Sequence, residues 1–177
     1  HTDEVLCCST FADGTRAISG GADRTVRVWE LLDGTELRIF RDHTDIVTCC
    51  SVSEDEMRAV SGSWDGTLRL WDLKEDSSGG EEESTSVLKG HDGVVLCCDL
   101  FDGGRAASGG ADGTVRVWDL ATGSEIHHLT GHGGSVYCCS AFEDGVRVVG
   151  GGDDTTLRVW DLPTSSGPNG QEEKEQS

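Results

Sequence analysis

Cationic side chains are scarce in this sequence: 14 Lys and Arg stand against 33 Asp and Glu, a formal charge of -19 over 177 residues. Phosphate backbones are held largely by cations that release counterions, so direct binding of nucleic acid is not expected, nor is an anionic membrane surface. No run approaches the ~18 apolar residues that a bilayer-spanning helix requires, so membrane insertion is not expected either. The first residues do not read as a signal peptide, although a chain that opens at His1 without Met leaves a removed leader open. Cysteine is present but never as CxxC. The eight thiols form four adjacent pairs, Cys7 and Cys8, Cys49 and Cys50, Cys97 and Cys98, Cys138 and Cys139. Neighbours on a strand point to opposite faces and zinc sites space their thiols more widely, so no metal site is expected. The pairs read as buried free thiols, small apolar filler in a reducing, intracellular and cytoplasmic setting. No cofactor is implied.

Proline is scarce too, with 2 residues against 25 Gly. That balance indicates many tight turns between short elements, hence an all-β chain. The length suits one domain that buries roughly 70% of its unfolded surface.

The sequence consists largely of one sentence written four times. SGGADRTVRVWEL at 19–31 returns as SGSWDGTLRLWDL at 61–73, SGGADGTVRVWDL at 108–120 and GGGDDTTLRVWDL at 150–162. Trp29, Trp71, Trp118 and Trp160 are separated by 42, 47 and 42 residues, and His1, His43, His91 and His132 keep the same beat. A period near 40 signals stacked supersecondary units. Within each unit, apolar runs of four to six residues are bounded by Gly/Asp turns, and TVRVW alternates with strand periodicity. Three strands per unit follow, VLCCS, RAIS and TVRVW in the first. ELRIF (36–40), SVLKG (86–90) and EIHHL (125–129) supply a fourth between units. After Trp160 no apolar run remains, so the last unit is expected to lack its outer strand.

These residues resemble the WD-repeat family of β-propellers, whose His near the start and Trp-Asp at the end of each unit recur over residues 1–162. The segment 61–73 is also similar to one in the receptor for activated C kinase, a scaffold of that family. Departures are small: His1 has no preceding Gly, His43 follows Asp42, Glu30 follows Trp29, and Gly150 stands where the other units have Ser. The resemblance implies four-stranded antiparallel blades around a channel. Four blades fall short of the seven or eight usual in the family. The ring is therefore expected to be incomplete, a fragment of a longer propeller, or to be completed by a homodimer of eight blades, because bare apolar blade faces are poorly tolerated. A tight four-bladed ring is the third arrangement.

His1, Ser19 and Asp23, His43, Ser61 and Asp65, and His91, Ser108 and Asp112 have the residue types of a nucleophilic triad. A copy in every structural unit argues against catalysis, which needs one such site with an oxyanion hole and a pocket. The alternative is a brace: Asp accepts from His, His from Ser, and Ser from the indole of Trp29, Trp71 or Trp118. The resemblance implies the same tetrad. With Gly150, the fourth network of His132, Asp154 and Trp160 must be shorter or completed by water, at a local cost of about 1 kcal/mol. The glycine-rich GGADGT segments lack a following helix and the Lys-Ser/Thr of a phosphate loop, and read as β-turns. Arg27, Arg69, Arg116 and Arg158 read as packing and pairing residues of strand three.

Function must then lie in what differs between units. The resemblance implies that the third residue after each His (Glu4, Ile46, Val94, Ser135) and the residue before each turn Asp (Ala22, Trp64, Ala111, Asp153) open onto one rim of the channel, where partners dock. Trp64 is the leading candidate, since exposed aromatics anchor interfaces. The stretch 74–86 is acidic and Gly/Ser-rich, and is expected to be a mobile loop on the opposite face with Ser77, Ser78 and Ser84 open to phosphorylation. Residues 163–177 read as a disordered acidic tail. The expected function is a non-catalytic interaction scaffold for protein or peptide partners, basic ones favoured by the charge. The alternative is the propeller portion of a larger enzyme or sensor, whose kinase or nucleotide-binding domain lies outside this sequence.

Overall fold

The computed structural model describes residues 1–74, 86–102, 104–142, 145–163 and 174–176. The described residues form sixteen strands and no helix. The first sheet holds β1 (Val5–Thr10), β2 (Arg16–Gly21), β3 (Val26–Glu30) and β4 (Glu36–Phe40) in sequential antiparallel order. The second repeats this with β5 (Val47–Val52), β6 (Arg58–Ser63), β7 (Thr67–Asp72) and β8 (Ser86–Lys89). The third has β9 (Val95–Phe101), β10 (Arg105–Gly110), β11 (Val115–Asp119) and β12 (Ser124–Leu129). The fourth has β13 (Val136–Ala141), β14 (Arg147–Gly152), β15 (Leu157–Asp161) and β16 (Lys174–Gln176).

The last of these corrects an expectation. The fourth unit does have an outer strand: Lys174, Glu175 and Gln176 pair with Val159, Arg158 and Leu157. No apolar run is needed there, because an outermost strand is held by its backbone ladder. Most of the stretch from 74 to 86, with Ser77, Ser78 and Ser84, lies outside the described residues, as do 164–173 and 177 of the tail.

Alternation along the strands decides how the sheets stack. In β7, Leu68 and Leu70 face the third sheet, while Trp71 faces the first. In β6, Ala59 faces back and Val60 forward, each fully buried. Three apolar joints result, between sheets one and two, two and three, and three and four. The inner strands β1, β5, β9 and β13 pack in succession. The adjacent cysteines split between joints. Cys49 faces the third sheet and Cys50 the first, as strand geometry requires. All eight are free thiols, but Cys8 and Cys138 are exposed rather than buried, because each lies on a sheet face that no neighbour covers. The ring is not closed: the described sheets form an open arc whose first and last faces remain bare.

Candidate functional site

The turn between strands two and three brings Asp to the His that opens each unit. His43 Nδ1 donates to Asp65 at 2.8 Å, Ser61 donates to His43 Nε2 at 2.8 Å, and Trp71 Nε1 donates to Ser61 Oγ at 2.9 Å. The first unit repeats this with His1, Asp23, Ser19 and Trp29 at 2.7 to 2.9 Å. The third does so with His91, Asp112, Ser108 and Trp118. A carboxylate only accepts, so Nδ1 carries the ring proton and Nε2 is left to accept from Ser. Each Ser hydroxyl is thus used twice, and Ser61 and Ser108 are completely buried. In all three units the geometry is that of a brace, with indole, hydroxyl, imidazole and carboxylate joined in one chain of hydrogen bonds.

The sequence reading left out one member. A Thr two residues beyond each turn Asp donates its hydroxyl to that carboxylate, through Thr25, Thr67, Thr114 and Thr156 at 2.6 to 2.8 Å. The D-x-T spacing was visible in the sequence, yet it reads as ordinary turn chemistry. Arg27 and Arg116 extend the chain outward, each contacting the turn Asp and an outer-strand Glu, Glu36 or Glu125. They pair as expected of strand-three arginines.

Charge is tuned accordingly. Burial raises the Asp112 carboxyl, but hydrogen bonds from Thr114 and the Asp92 amide, with the nearby His91, outweigh it and bring it down to about 2. Asp65 is likewise lifted by burial and then pulled well below the usual range by hydrogen bonds from His43 and Thr67. For Asp154 the Gly133 amide leads the lowering. Burial pushes His91 downward, only partly opposed by Asp112. These directions keep the carboxylates charged and the His91 imidazole neutral.

The fourth network is shorter, as expected, because no shared hydroxyl links His132 to Trp160. Two backbone carbonyls take the place of the missing hydroxyl: His132 Nε2 lies 3.2 Å from Gly150 O, and Trp160 Nε1 donates to Thr130 O at 3.2 Å. His132 Nδ1 still faces Asp154 at 2.9 Å. Carboxylate and carbonyl both require a donor, so a neutral ring satisfies only one of them.

At the same end of each sheet, backbone hydrogen bonds join the rim candidates in pairs. Ala22 N donates to Glu4 O, Trp64 N to Ile46 O, Ala111 N to Val94 O and Asp153 N to Ser135 O, at 2.8 to 2.9 Å. The four pairs occupy equivalent places in consecutive sheets, so they line one edge of the arc. Trp64 is 51% exposed. Glu4, Ala111 and Asp153 are exposed, whereas Ile46, Val94, Ser135 and Ala22 are half-buried. The surrounding loops add Asp3, Asp45 and Asp92. Among the described residues, no group of three or more His, Cys, Asp and Glu is disposed to hold a metal ion.

Comparison with known proteins places this geometry. The family described as WD domain, G-beta repeat matches residues 1–30, 34–72, 82–119 and 123–161. A segment of 36 residues is 56% identical to NACHT domain- and WD repeat-containing protein 1 of Mus musculus, covering 20% of this chain and 2% of that protein. The solved structure of U3-55K superimposes with a TM-score of 0.83 at 23% identity, over 92% of this chain and 50% of that one. The crystal structure of RRP9 WD40 repeats gives 0.84 at 23% identity, over 98% and 51%. The chain thus spans about half the length of these solved chains, and the likeness to them is one of fold.

Proposed function

This chain belongs to the WD-repeat family, and from that premise we propose that it is a non-catalytic scaffold which binds basic protein segments on the rim carrying Trp64. The family is typically one of interaction scaffolds. The carrying observation is a half-exposed indole on an edge whose loops offer several carboxylates beside the exposed Arg24, whose guanidinium donates to Thr44 O. Trp64 supplies a flat apolar anchor whose burial by a partner is favourable. Asp3, Glu4, Asp92 and Asp153 supply a field that draws Lys- and Arg-rich segments and repels acidic ones. Arginine is the best-suited partner side chain, because its guanidinium both stacks on indole and pairs with carboxylate.

Fluorescence anisotropy with labelled Arg-rich, Lys-rich and acidic peptides of equal length tests this reading. Trp64→Ala is expected to weaken Arg-rich binding at least tenfold, and Asp153→Asn to weaken it less and to flatten its salt dependence. Equal affinity for acidic peptides, or indifference to both substitutions, would sink the proposal.

A second reading keeps the propeller but makes it one part of a larger enzyme or sensor. It is supported by the 56% identity over 36 residues to a protein whose name joins a NACHT domain to WD repeats. The full-length transcript decides it: a catalytic or nucleotide-binding signature joined to these repeats favours the second reading.

A further inference from the structure

Strand β5 runs from Val47, beside the rim, to Val52, so the turn that follows it lies on the edge of the arc away from Trp64. That turn is built alike in several blades. Its first residue donates its amide to the carbonyl of an arginine, Phe11 to Arg16, Ser53 to Arg58 and Phe142 to Arg147, at 2.9 to 3.0 Å. In the third blade Phe101 and Arg105 face each other across the ladder. Three of these arginines lie over the ring of that phenylalanine: Arg16 is 4.4 Å from the Phe11 centroid, Arg105 4.9 Å from Phe101 and Arg147 4.5 Å from Phe142. The second blade has the arginine without the ring. Ser53 turns its hydroxyl to Asp55 and to the Arg58 carbonyl. Among the described residues no hydrogen bond, ion pair or ring holds the Arg58 guanidinium, apart from the pull of its charge on Asp55.

The missing ring leaves a gap in the packing. Phe11 belongs to the joint between sheets one and two, with Leu73, and Phe101 to the joint between sheets three and four, with Leu162. The joint between sheets two and three keeps the corresponding leucine, Leu120, but no phenylalanine joins it. A cavity of about 240 Å³ opens there, walled by Ser53, Arg58, Leu100, Phe101 and Leu120. The joint between sheets one and two has a cavity as well, but it lies toward the outer strand, against Leu37 and Arg38, with the stacked Phe11 and Arg16 already in its wall. Two carboxylates border the first cavity, Glu54, which is exposed, and Asp99. Asp99 stands where the other inner strands have Ser9, Ser51 or Ser140, and the Ser140 hydroxyl and the Ala141 amide hold one of its oxygens at 2.9 Å.

We infer that this cavity receives an aromatic side chain of a partner protein, whose ring takes the place over Arg58 that Phe11, Phe101 and Phe142 take in their own blades. Burial against Leu100, Phe101 and Leu120 supplies the apolar part of the contact. The guanidinium supplies the directional part, because a cation is drawn to the face of a π-system and not to an aliphatic ring of the same outline. Glu54 and Asp99 favour a lysine or arginine beside that aromatic residue, as the chain's charge of -19 does at longer range. Those carboxylates give the flanking residues of a chain something to hold that a free ring lacks, so the occupant is a protein segment. The site lies between sheets two and three, each covered on both faces, and away from Trp64. It therefore neither needs nor excludes binding at the rim.

The test uses the full chain carrying Trp64→Ala, so that the rim anchor contributes nothing, and short labelled peptides of Ser and Lys with Phe, cyclohexylalanine or Ala at the centre. The Phe peptide is expected to bind about threefold or more tighter than the cyclohexylalanine peptide, and the Ala peptide more weakly than either. Arg58→Gln should erase the difference between Phe and cyclohexylalanine. Ser53→Phe, which puts the ring of the other blades into the cavity, should reduce the Phe peptide to the level of the Ala peptide with an unchanged circular-dichroism spectrum. In the chain with Ser53 and Arg58 intact, the Phe peptide should shift the amide resonances of Leu100 and Leu120. Equal affinity for the Phe and Ala peptides, or a preference for Phe that survives Ser53→Phe, overturns the inference. Equal affinity for Phe and cyclohexylalanine overturns the part assigned to Arg58. N-acetylphenylalanine amide binding as tightly as the Phe peptide would make the site one for small aromatic molecules and overturn protein docking.

Discussion

Gly150 occupies the position at which the other three blades carry Ser19, Ser61 or Ser108, and its consequence is confined to a few atoms. The Trp160 indole bonds a carbonyl at 3.2 Å, whereas its counterparts reach a hydroxyl at 2.7 to 2.9 Å. Restoring the hydroxyl is sterically close: a Cβ at this position would sit 3.1 Å from both Trp160 and Val115. The indole must therefore give by a few tenths of an ångström, and the new hydroxyl can donate to His132 Nε2 as Ser61 does to His43. Gly150→Ser is expected to raise stability by about 1 kcal/mol, the net value of one buried hydrogen bond, read as a later urea midpoint at unchanged slope. An earlier midpoint would mean that Val115 holds the indole in place. At this scale the sequence was informative. Four residue types at regular offsets named the tetrad and the gap at Gly150, but backbone carbonyls are invisible in a sequence, so the acceptors that His132 and Trp160 reach instead were not legible.

The turn between strands two and three is built alike in all four blades, and not all of its sequences suit it. The residue after each turn Asp adopts a left-handed backbone: Gly66 at φ 79°, Gly113 at 74°, Arg24 at 64° and Thr155 at 63°. Glycine fits that region without strain, whereas a β-branched residue in it is an outlier. Thr155→Gly should therefore stabilise the fourth blade by roughly 0.5–1 kcal/mol, the left-handed penalty less the extra chain entropy of glycine. Slower amide exchange in β15 would register the gain, and faster exchange would refute it. The same element shows how pattern and structure divide the work. The D-G-T signature identified the turn, and the sheet ladders on either side hold Arg24 and Thr155 to a conformation they would not choose alone. The outer strand of the fourth blade was missed because apolar pattern was the signal sought, and Lys174–Gln176 pairs through its backbone.

For the whole molecule, the braces predict a direction of pH dependence. The Asp112 carboxyl stands at about 2, below its ordinary value of 3.8, and Asp23, Asp65 and Asp154 are shifted the same way. A folded-state pKa below the unfolded one gives stability that is complete above the unfolded value and lost as pH falls through the folded value. His91 is shifted below 6.5 by burial, so it too favours the native state when neutral and withdraws that support on acidification. Thermal unfolding should thus show a midpoint that begins to fall below pH 6.5 and drops steeply between about pH 4 and 2. Asp112→Asn, which removes one contributor, should lower the midpoint at pH 7 while making its decline on acidification shallower. A midpoint that climbs on acidification would contradict the braces.

The sequence by itself determined the blade: its first three strands are written in short apolar runs, its turns in Gly and Asp, and its braces in His, Ser, Asp and Trp at offsets that vary by no more than one residue, with Gly150 the one departure. Those features act over distances that one repeat spans, so periodicity carries them. Only the tertiary structure decided which face of each sheet meets which neighbour, and that Gly20, Gly62 and Gly109 are seats for the next blade's valine. Packing between sheets depends on shape across a joint, and a repeat read in isolation gives no sign of which of its identical faces is covered.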